Sequence, residues 1–251
     1  MAKNTILISE DAGVRYLHFG SEWIQGAMRV RRPNALELDY TRDMMAGLLL
    51  HEAPWPRSAL LIGLGAGSLA KFIYHQYPKT KITVIEIDPQ IELVAHLHFK
   101  LPDDPSRLHV VIGDGAEYML ASGKQFDYIL VDGFDKNAHA GVLDTLPFYQ
   151  ACRARLSSSG LLAVNLLSHN KGCQASARRI DKAFDGRSLL FPACIGGNTI
   201  AFATAGEVID LTLDELRRRA GKLKDESSLN LLPTMTRLKQ TASLPLGHLT
   251  L

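Results

Sequence analysis

The sequence is poor in cysteine, in net charge and in long apolar stretches, and each shortage excludes a class of protein. It has three cysteines in 251 residues, an odd number without paired spacing, which excludes a disulfide framework and a zinc site and fits a reducing compartment. No stretch is apolar enough to span a bilayer and no secretory pattern opens the chain, so we expect a cytoplasmic protein. The net charge of +2 is spread along the chain, which favours neither nucleic acid nor a membrane as partner.

The composition is that of one full-sized domain with a small appendage, since 46% of the residues are hydrophobic and 22% are charged. From residue 58 onward, apolar β-branched runs alternate with helical patterns, which is typical of repeated β-α-β units and a parallel sheet. Strands covered on both faces are predicted at residues 59–62, 82–87, 108–112, 128–131 and 161–166. Helices are predicted to begin near Ser68, Pro89, Gly115, Leu143 and Gln174, and Pro78 and Gly160 are predicted to mark helix ends.

Both ends of the chain depart from this alternation. Predicted strands at 188–194 and 199–204 are too close in sequence for a helical crossover and must pair antiparallel. At the N-terminal end, short strands are predicted at 15–19, 23–30 and 35–38. We therefore divide the chain into a β-rich appendage, residues 1–45, and a main domain, residues 46–251. The appendage is expected to pair with another chain or to lie over a cleft. Thr212 and Glu215 form a capping box that predicts one amphipathic helix, after which residues around Pro233 and Pro245 are expected to be irregular.

A glycine-rich turn follows the first predicted parallel strand. Gly63, Gly65 and Gly67 close that strand and open a helix, where the backbone can approach a ligand and free amide groups point at it. A tight turn also uses glycine for steric reasons alone. About twenty residues on, Glu86 and Asp88 end the second strand, where an acidic group either accepts the ribose hydroxyls of a nucleoside or is simply a charge at a strand end.

Acidic residues also follow the third and fourth predicted strands. Asp114, which precedes Gly115, can cap the next helix, accept the adenine amino group, or do both. Asp132 and Asp135 fall at the point where open α/β sheets bind ligands. They either solvate and cap the loop or hold a substrate, and the apolar run before Asp132 favours the second, since a carboxylate there needs a partner. No residues have the spacing of metal ligands, so no metal is predicted.

The order of these motifs carries a family resemblance. Parallel strands with helical crossovers and a terminal hairpin resemble the S-adenosylmethionine-dependent transferases, so the expected fold is α/β, with a doubly wound, mostly parallel seven-stranded sheet. Over residues 16–205 the chain resembles the spermidine synthase, or polyamine aminopropyltransferase, family. Besides the acidic and glycine motifs, Gln25 in the segment 23–26 looks like the family's N-terminal strand glutamine, and residues 104–107 look like the segment before its third strand.

The resemblance implies a transferase that moves the aminopropyl group of decarboxylated S-adenosylmethionine to a small-molecule amine, as a homodimer and without a metal. It implies that Asp132 is the base that takes a proton from the attacking amine, and that Asp135 binds the polyamine together with Gln25 and Tyr40. The implied adenosyl-binding residues are Gly63, Gly65, Gly67, Glu86, Asp88, Asp114 and Gly115.

Two departures from the family pattern leave the reaction open. Ala66 stands where the family has an aspartate that contacts the aminopropyl amine and would repel the carboxylate of intact S-adenosylmethionine. Lys136 replaces a proline and would compete for Asp135. A methyltransferase that uses intact S-adenosylmethionine, and a non-catalytic module that binds an adenosyl ligand, are therefore the alternatives, and fold alone does not choose among them.

Overall fold

The described part of the chain forms three sheets and the helices that cover them. The computed structural model describes residues 5–20, 23–121, 123–135, 138–167, 172–194, 196–239 and 247–251. An N-terminal sheet holds β1 (Ile6–Asp11), β2 (Val14–Phe19) and β3 (Ile24–Arg29). The central sheet holds β4 (Ser58–Ile62), β5 (Lys81–Glu86), β6 (Leu108–Ile112), β7 (Phe126–Val131), β8 (Leu156–Leu167), β9 (Ser188–Leu190) and β10 (Asn198–Thr204), and a C-terminal pair holds β11 (Asp210–Thr212) and β12 (His248–Thr250). The helices are α1 (Asp39–Met44), α2 (Ser68–Gln76), α3 (Pro89–Phe99), α4 (Gly115–Leu120), α5 (Leu146–Ala154), α6 (Cys173–Ala183), α7 (Leu213–Ser227) and α8 (Leu232–Lys239), with 3₁₀ segments at Met45–Leu49 and Gly141–Asp144.

The central sheet has the doubly wound order β6-β5-β4-β7-β8-β10-β9. Strands β4 to β8 pair parallel to their neighbours, whereas β10 pairs antiparallel with both β8 and β9. The strand order reverses between β4 and β7, which is where sheets of this kind bind ligands. The predicted α/β class, the parallel sheet and the terminal antiparallel hairpin are confirmed.

Apolar side chains cover both faces of the central sheet. Leu61 of β4 packs with residues of α2, α3, α7 and α8 on one face, whereas its neighbours Leu60 and Ile62 pack with residues of α4, α5 and α6 on the other. Successive side chains of a strand point to opposite faces, so a strand buried on both faces is apolar throughout. This is the reason why the parallel strands could be read from their composition.

The N-terminal region differs from the prediction at two places. Residues 35–38 do not form a strand, because the carbonyl groups of Leu36 and Glu37 accept hydrogen bonds from the Arg42 side chain, at 2.9 and 3.1 Å, and the chain turns into α1. Strand β1 was not predicted, since nearly all of its residues are exposed and show no apolar alternation. Met44 and Met45 are buried in the core of the central sheet, and the domain boundary near residue 45 stays a prediction.

Two predicted boundaries around β8 and β9 were wrong. Gly160 does not end a helix but lies inside β8, where a Cβ would come within 2.7 Å of the Cβ of Leu156 and glycine is therefore required. Strand β9 ends at Leu190 and not at residue 194, because Pro192 has no N–H to continue the ladder.

Two predicted helix positions also needed correction. The helix expected near Leu143 begins at Leu146, after the 3₁₀ segment, with Pro147 in its first turn. The C-terminal residues are not all irregular, since Pro233 is the second residue of α8, where a missing N–H costs nothing, and β12 follows. Pro245 lies outside the described residues.

The capping box predicted at the start of α7 is present. The Glu215 N–H donates to Thr212 Oγ1 at 3.2 Å, and the Thr212 N–H donates to Glu215 Oε2 at 3.0 Å. No helix in the described ranges has the length and apolar character needed to cross a membrane. Within the same ranges, no group of three or more His, Cys, Asp or Glu residues is arranged to hold a metal ion.

Candidate functional site

A cavity of about 1320 Å³ opens at the edge of the central sheet where β4, β5, β6 and β7 end. Its walls are the segments that follow these four strands, together with β3, the start of α1, and the residues before α5 and β10. Ligand pockets of single small molecules usually measure about 300–1,000 Å³, so this volume has room for two substrates. The cavity lies at the edge where the sequence placed its candidate ligand residues.

The glycine turn between β4 and α2 lines the cavity through Gly63 and Gly65, both in the left-handed region, with φ of 97° and 51°. A Cβ on Gly63 would collide with the main-chain carbonyl of Asp132, and a Cβ on Gly65 would lie 3.0 Å from the carbonyl oxygen of Gln25. A side chain is therefore sterically excluded at Gly63 and strained at Gly65. The same bare backbone faces the cavity, so a ligand role at these positions stays a prediction.

The last two residues of the turn pack away from solvent. Gly67 is not among the described residues that line the cavity; a Cβ there would lie 2.8 Å from Leu101, and the residue begins α2 with φ of 66°. Ala66 lines the cavity but is only 2% exposed, and its methyl group packs with Met28 of β3. A Cβ on Gly26, also in β3, would lie 2.6 Å from the Ala66 Cβ, so β3 and the turn are in close contact.

Glu86 ends β5 and is 7% exposed. Its Oε2 accepts a hydrogen bond from the Leu64 N–H at 2.9 Å, and its Oε1 accepts one from the Asp88 N–H at 3.0 Å. Burial raises the pKa of Glu86, and these backbone hydrogen bonds oppose the shift. A carboxylate oxygen has two acceptor positions, so each oxygen has capacity for a further donor from the cavity.

Asp88 and Asp114 line the cavity and cap the helices that begin beside them. Asp88 accepts one N–H of the first turn of α3 at 2.9 Å, and Asp114 accepts two N–H groups of the first turn of α4 at 2.7 and 3.0 Å. The predicted capping by Asp114 is confirmed, and its contact with adenine stays a prediction. Gly115 also lines the cavity, where a Cβ would lie 2.5 Å from the Ile62 side chain.

Asp132 follows β7 and is half-buried, with both carboxylate oxygens bonded. Its Oδ2 accepts a hydrogen bond from the Tyr40 hydroxyl at 3.1 Å, and its Oδ1 accepts one from Asn165 Nδ2 at 2.8 Å. Burial raises the pKa of Asp132, and the two hydrogen bonds oppose the shift. Burial also raises the pKa of Tyr40, which keeps its hydroxyl a neutral donor. The structure thus joins two residues that the sequence proposed separately.

The two other residues predicted to bind the amine substrate also line the cavity. Asp135 lines the cavity with a side chain that is 52% exposed; its Oδ1 accepts the His139 N–H at 2.9 Å, and its Oδ2 is 3.8 Å from the His139 ring. Gln25 lines the wall formed by β3. Lys136, which the sequence suggested as a competitor for Asp135, lies outside the described residues.

Two site residues were missed from the sequence. Asn165 is 5% exposed in β8, and its Oδ1 accepts a hydrogen bond from Nδ2 of Asn198, the first residue of β10, at 2.9 Å. Both line the cavity. For Asn165 the available signal was a single amide side chain in the otherwise apolar segment 161–167, since a buried polar group needs a partner.

The lining of the cavity is acidic although the whole chain carries a net charge of +2. Among its described residues, the lining contains no Lys or Arg. It contains seven carboxylates: Glu37, Asp39, Glu86, Asp88, Asp114, Asp132 and Asp135. Such a lining attracts cations and repels anions.

The doubly wound sheet with an antiparallel end and a cavity at its switch point defines a methyltransferase-like α/β protein. Comparison with known proteins identifies the family. Residues 38–187 match the model of the spermine/spermidine synthase domain. The chain is 36% identical over 232 residues to a polyamine aminopropyltransferase of Neisseria meningitidis serogroup A, covering 92% of this chain and 88% of that protein. It is 36% identical over 242 residues to the polyamine aminopropyltransferase of Chromobacterium violaceum, covering 96% and 92%.

The chain therefore belongs to the spermine/spermidine synthase family, which confirms the resemblance and the prediction of a transferase enzyme. Among solved structures, a probable spermidine synthase from Corynebacterium glutamicum superposes with a TM-score of 0.74 and 19% identity, covering 89% of this chain and 85% of that one. At this identity the superposition supports the fold alone.

Proposed function

We propose that this enzyme transfers the aminopropyl group of decarboxylated S-adenosylmethionine to a small-molecule amine, with Asp132 as the base. One observation carries the proposal: a half-buried carboxylate of raised pKa projects into a cavity lined by carboxylates and, among its described residues, by no Lys or Arg. Both substrates are cations, one a sulfonium and the other an alkylammonium, and this lining suits both. A methyltransferase is not favoured, since the curated relatives at 36% identity are aminopropyltransferases.

The residues support a direct displacement. An alkylammonium with a pKa of about 10 is not a nucleophile until it loses a proton. Asp132 accepts that proton, and the burial that raises its pKa makes it a better base than an exposed aspartate. The amine lone pair forms the new C–N bond, the C–S bond breaks, and its electron pair converts the sulfonium to the neutral thioether methylthioadenosine.

The adenosyl part of the donor fits the acidic edge of β5 and β6. We assign the two ribose hydroxyls to Glu86, whose oxygens keep acceptor capacity, and the adenine amino group to Asp114, which lines the same cavity. Gly63, Gly65 and Gly115 leave the backbone open to the ligand, and Asp88 completes this wall. Gly67 supports the turn and not the ligand directly, because Leu101 packs against it.

We assign the amine substrate to the part of the cavity that is lined by α1, β3 and the loop after β7. Tyr40 bonds to the proposed base, and Gln25 and Asp135 line the cavity beyond it. We further propose that the enzyme acts as a homodimer in the cytoplasm, as its family resemblance and odd cysteine count suggested.

The test is incubation with 1,4-diaminobutane and either decarboxylated or intact S-adenosylmethionine, with products identified by mass spectrometry. We expect methylthioadenosine and an aminopropylated diamine from the decarboxylated donor. Asp132→Asn is expected to lose about 100-fold to 10,000-fold in kcat, the range for removal of a general base, with donor affinity retained. The matched control is Asp103→Asn, an exposed aspartate outside the cavity. S-adenosylhomocysteine from the intact donor would instead identify a methyltransferase, and no turnover with either would leave a binding module.

A further inference from the structure

Asn165 and Asn198 stand next to each other on one face of the central sheet. In the antiparallel pairing of β8 with β10, Asn165 is opposite Ile200 and Asn198 is opposite Leu167. Because side chains two residues apart in a strand share a face, the two amides are diagonal neighbours. Asp132, at the end of the adjoining β7, lies on the far side of Asn165.

The hydrogen bonds among these three side chains have a single direction. Asn198 Nδ2 donates to Asn165 Oδ1 at 2.9 Å, and Asn165 Nδ2 donates to Asp132 Oδ1 at 2.8 Å. An ionised carboxylate only accepts hydrogen bonds, whereas an amide side chain offers an acceptor at one end and donors at the other. Since Asn198 occupies the acceptor end of Asn165, the end that remains for Asp132 is a donor.

We propose that Asn198 is a positioning residue that acts through Asn165: it fixes the orientation of that amide so that an N–H faces Asp132 and holds the carboxylate ionised and ready to accept the proton of the amine. This inference rests on the proposed function, which gives Asp132 the role of base. Hydrogen bonds donated to the charged form of an acid favour that form. Without Asn198, the Asn165 amide can turn its oxygen toward Asp132, which favours the protonated acid and lowers the fraction of Asp132 that is ionised at a given pH.

Among the residues that the structure describes, few titratable groups neighbour Asp132. From α1, the Tyr40 hydroxyl bonds to the second oxygen of Asp132, and from the segment before β10 the Cys194 thiol acts electrostatically on that hydroxyl. From its own loop, Asp135 lies on the outer side of the cavity. Neither asparagine titrates, so changes at Asn198 alter hydrogen bonding and not the number of charges around Asp132.

The experiment measures the acid limb of the pH dependence of kcat/KM, where Asp132 becomes protonated. Asn198→Ala is expected to move this limb upward by about half a pH unit, and Asn165→Leu by about one unit, since each removes support for the ionised form. The double variant is expected to match Asn165→Leu alone, because Asn198 acts only through Asn165. The matched control is Thr199→Ser, next to Asn198 in β10, which should leave the limb in place.

Two results would overturn the inference: an acid limb unchanged by Asn198→Ala, or an equal shift produced by Asn198→Ala in the Asn165→Leu background. The second would mean that Asn198 acts on the site by another route. If the wild-type enzyme shows no aminopropyl transfer, the proposed function fails. The orientation effect is then tested separately by ¹³C NMR, which follows the Asp132 carboxyl resonance against pH in the free protein. The same upward shifts of the Asp132 titration are expected in Asn198→Ala and Asn165→Leu, and their absence would refute the inference.

Discussion

Replacement of Glu86 tests where the ribose lies. The carboxylate is nearly buried, bonds to the Leu64 and Asp88 amides at 2.9 and 3.0 Å, and faces the cavity. If two ribose hydroxyls also donate to it, Glu86→Ala removes hydrogen bonds to a charged acceptor, a loss of about 1.5–3 kcal/mol in ligand affinity. This corresponds to an increase in Kd of about 10-fold to 150-fold. Titration calorimetry with methylthioadenosine measures it.

The variant also releases the two backbone amides that Glu86 holds, so a loss of affinity alone does not prove the ribose contact. A second ligand separates the two effects: the 2′,3′-dideoxy analogue of methylthioadenosine. In the wild type, removal of the hydroxyls should weaken binding; in Glu86→Ala it should make little difference, because the partner is gone. Glu117→Ala, an exposed first-turn acid outside the cavity, is the control. An equal penalty for the dideoxy ligand in wild type and variant would refute this placement.

Two further predictions concern donor choice and assembly. With Ala66 in the glycine turn, intact and decarboxylated S-adenosylmethionine should bind within about tenfold of each other. Ala66→Asp should shift preference toward the decarboxylated form, since like charges about 5 Å apart repel by roughly 3 kcal/mol at an effective dielectric of about 20. The control variant Ala66→Asn changes the packing against Gly26 without adding a charge. A wild-type protein that already prefers the decarboxylated ligand by more than about a hundredfold would contradict the reasoning. Light scattering at micromolar concentration should give twice the chain mass, because β1 exposes Leu7 and Ile8 at its surface; a monomer would exclude pairing of subunits.

Most of the central sheet could be predicted because its physical signal is local. Strands buried on both faces are apolar throughout, and Pro89 and the Thr212–Glu215 capping box mark helix starts within a few residues. Strand β1 could not be predicted, since its stability comes from pairing with β2 and not from an apolar face. Residues 35–38 were wrongly predicted as a strand. Two of their carbonyl groups accept hydrogen bonds from the side chain of Arg42, a contact that the local sequence pattern does not reveal.

Some residues of the candidate site could be predicted from the sequence and others could not. Glu86, Asp114 and Asp132 could be named because each ends or follows a recognisable strand, and the carboxyl ends of parallel strands share one edge of a sheet. The pairing of Tyr40 with Asp132 spans 92 positions, and no local pattern encodes it. Asn198 was overlooked because its meaning depends on the register of β10 against β8.

The close contact between β3 and the glycine turn couples two parts of the chain. Ala66 lies so close to Gly26 that residue 26 has no room for a side chain. The Ser68 hydroxyl at the start of α2 donates a hydrogen bond to the Ala27 carbonyl at 3.1 Å. The matched family domain begins at residue 38, so one wall of the cavity comes from a sheet outside it. A ligand that contacts both β3 and the turn within this cavity would favour the docked sheet by the same free energy with which the docked sheet favours the ligand. Any local opening of the N-terminal sheet would therefore be linked to the release of such a ligand.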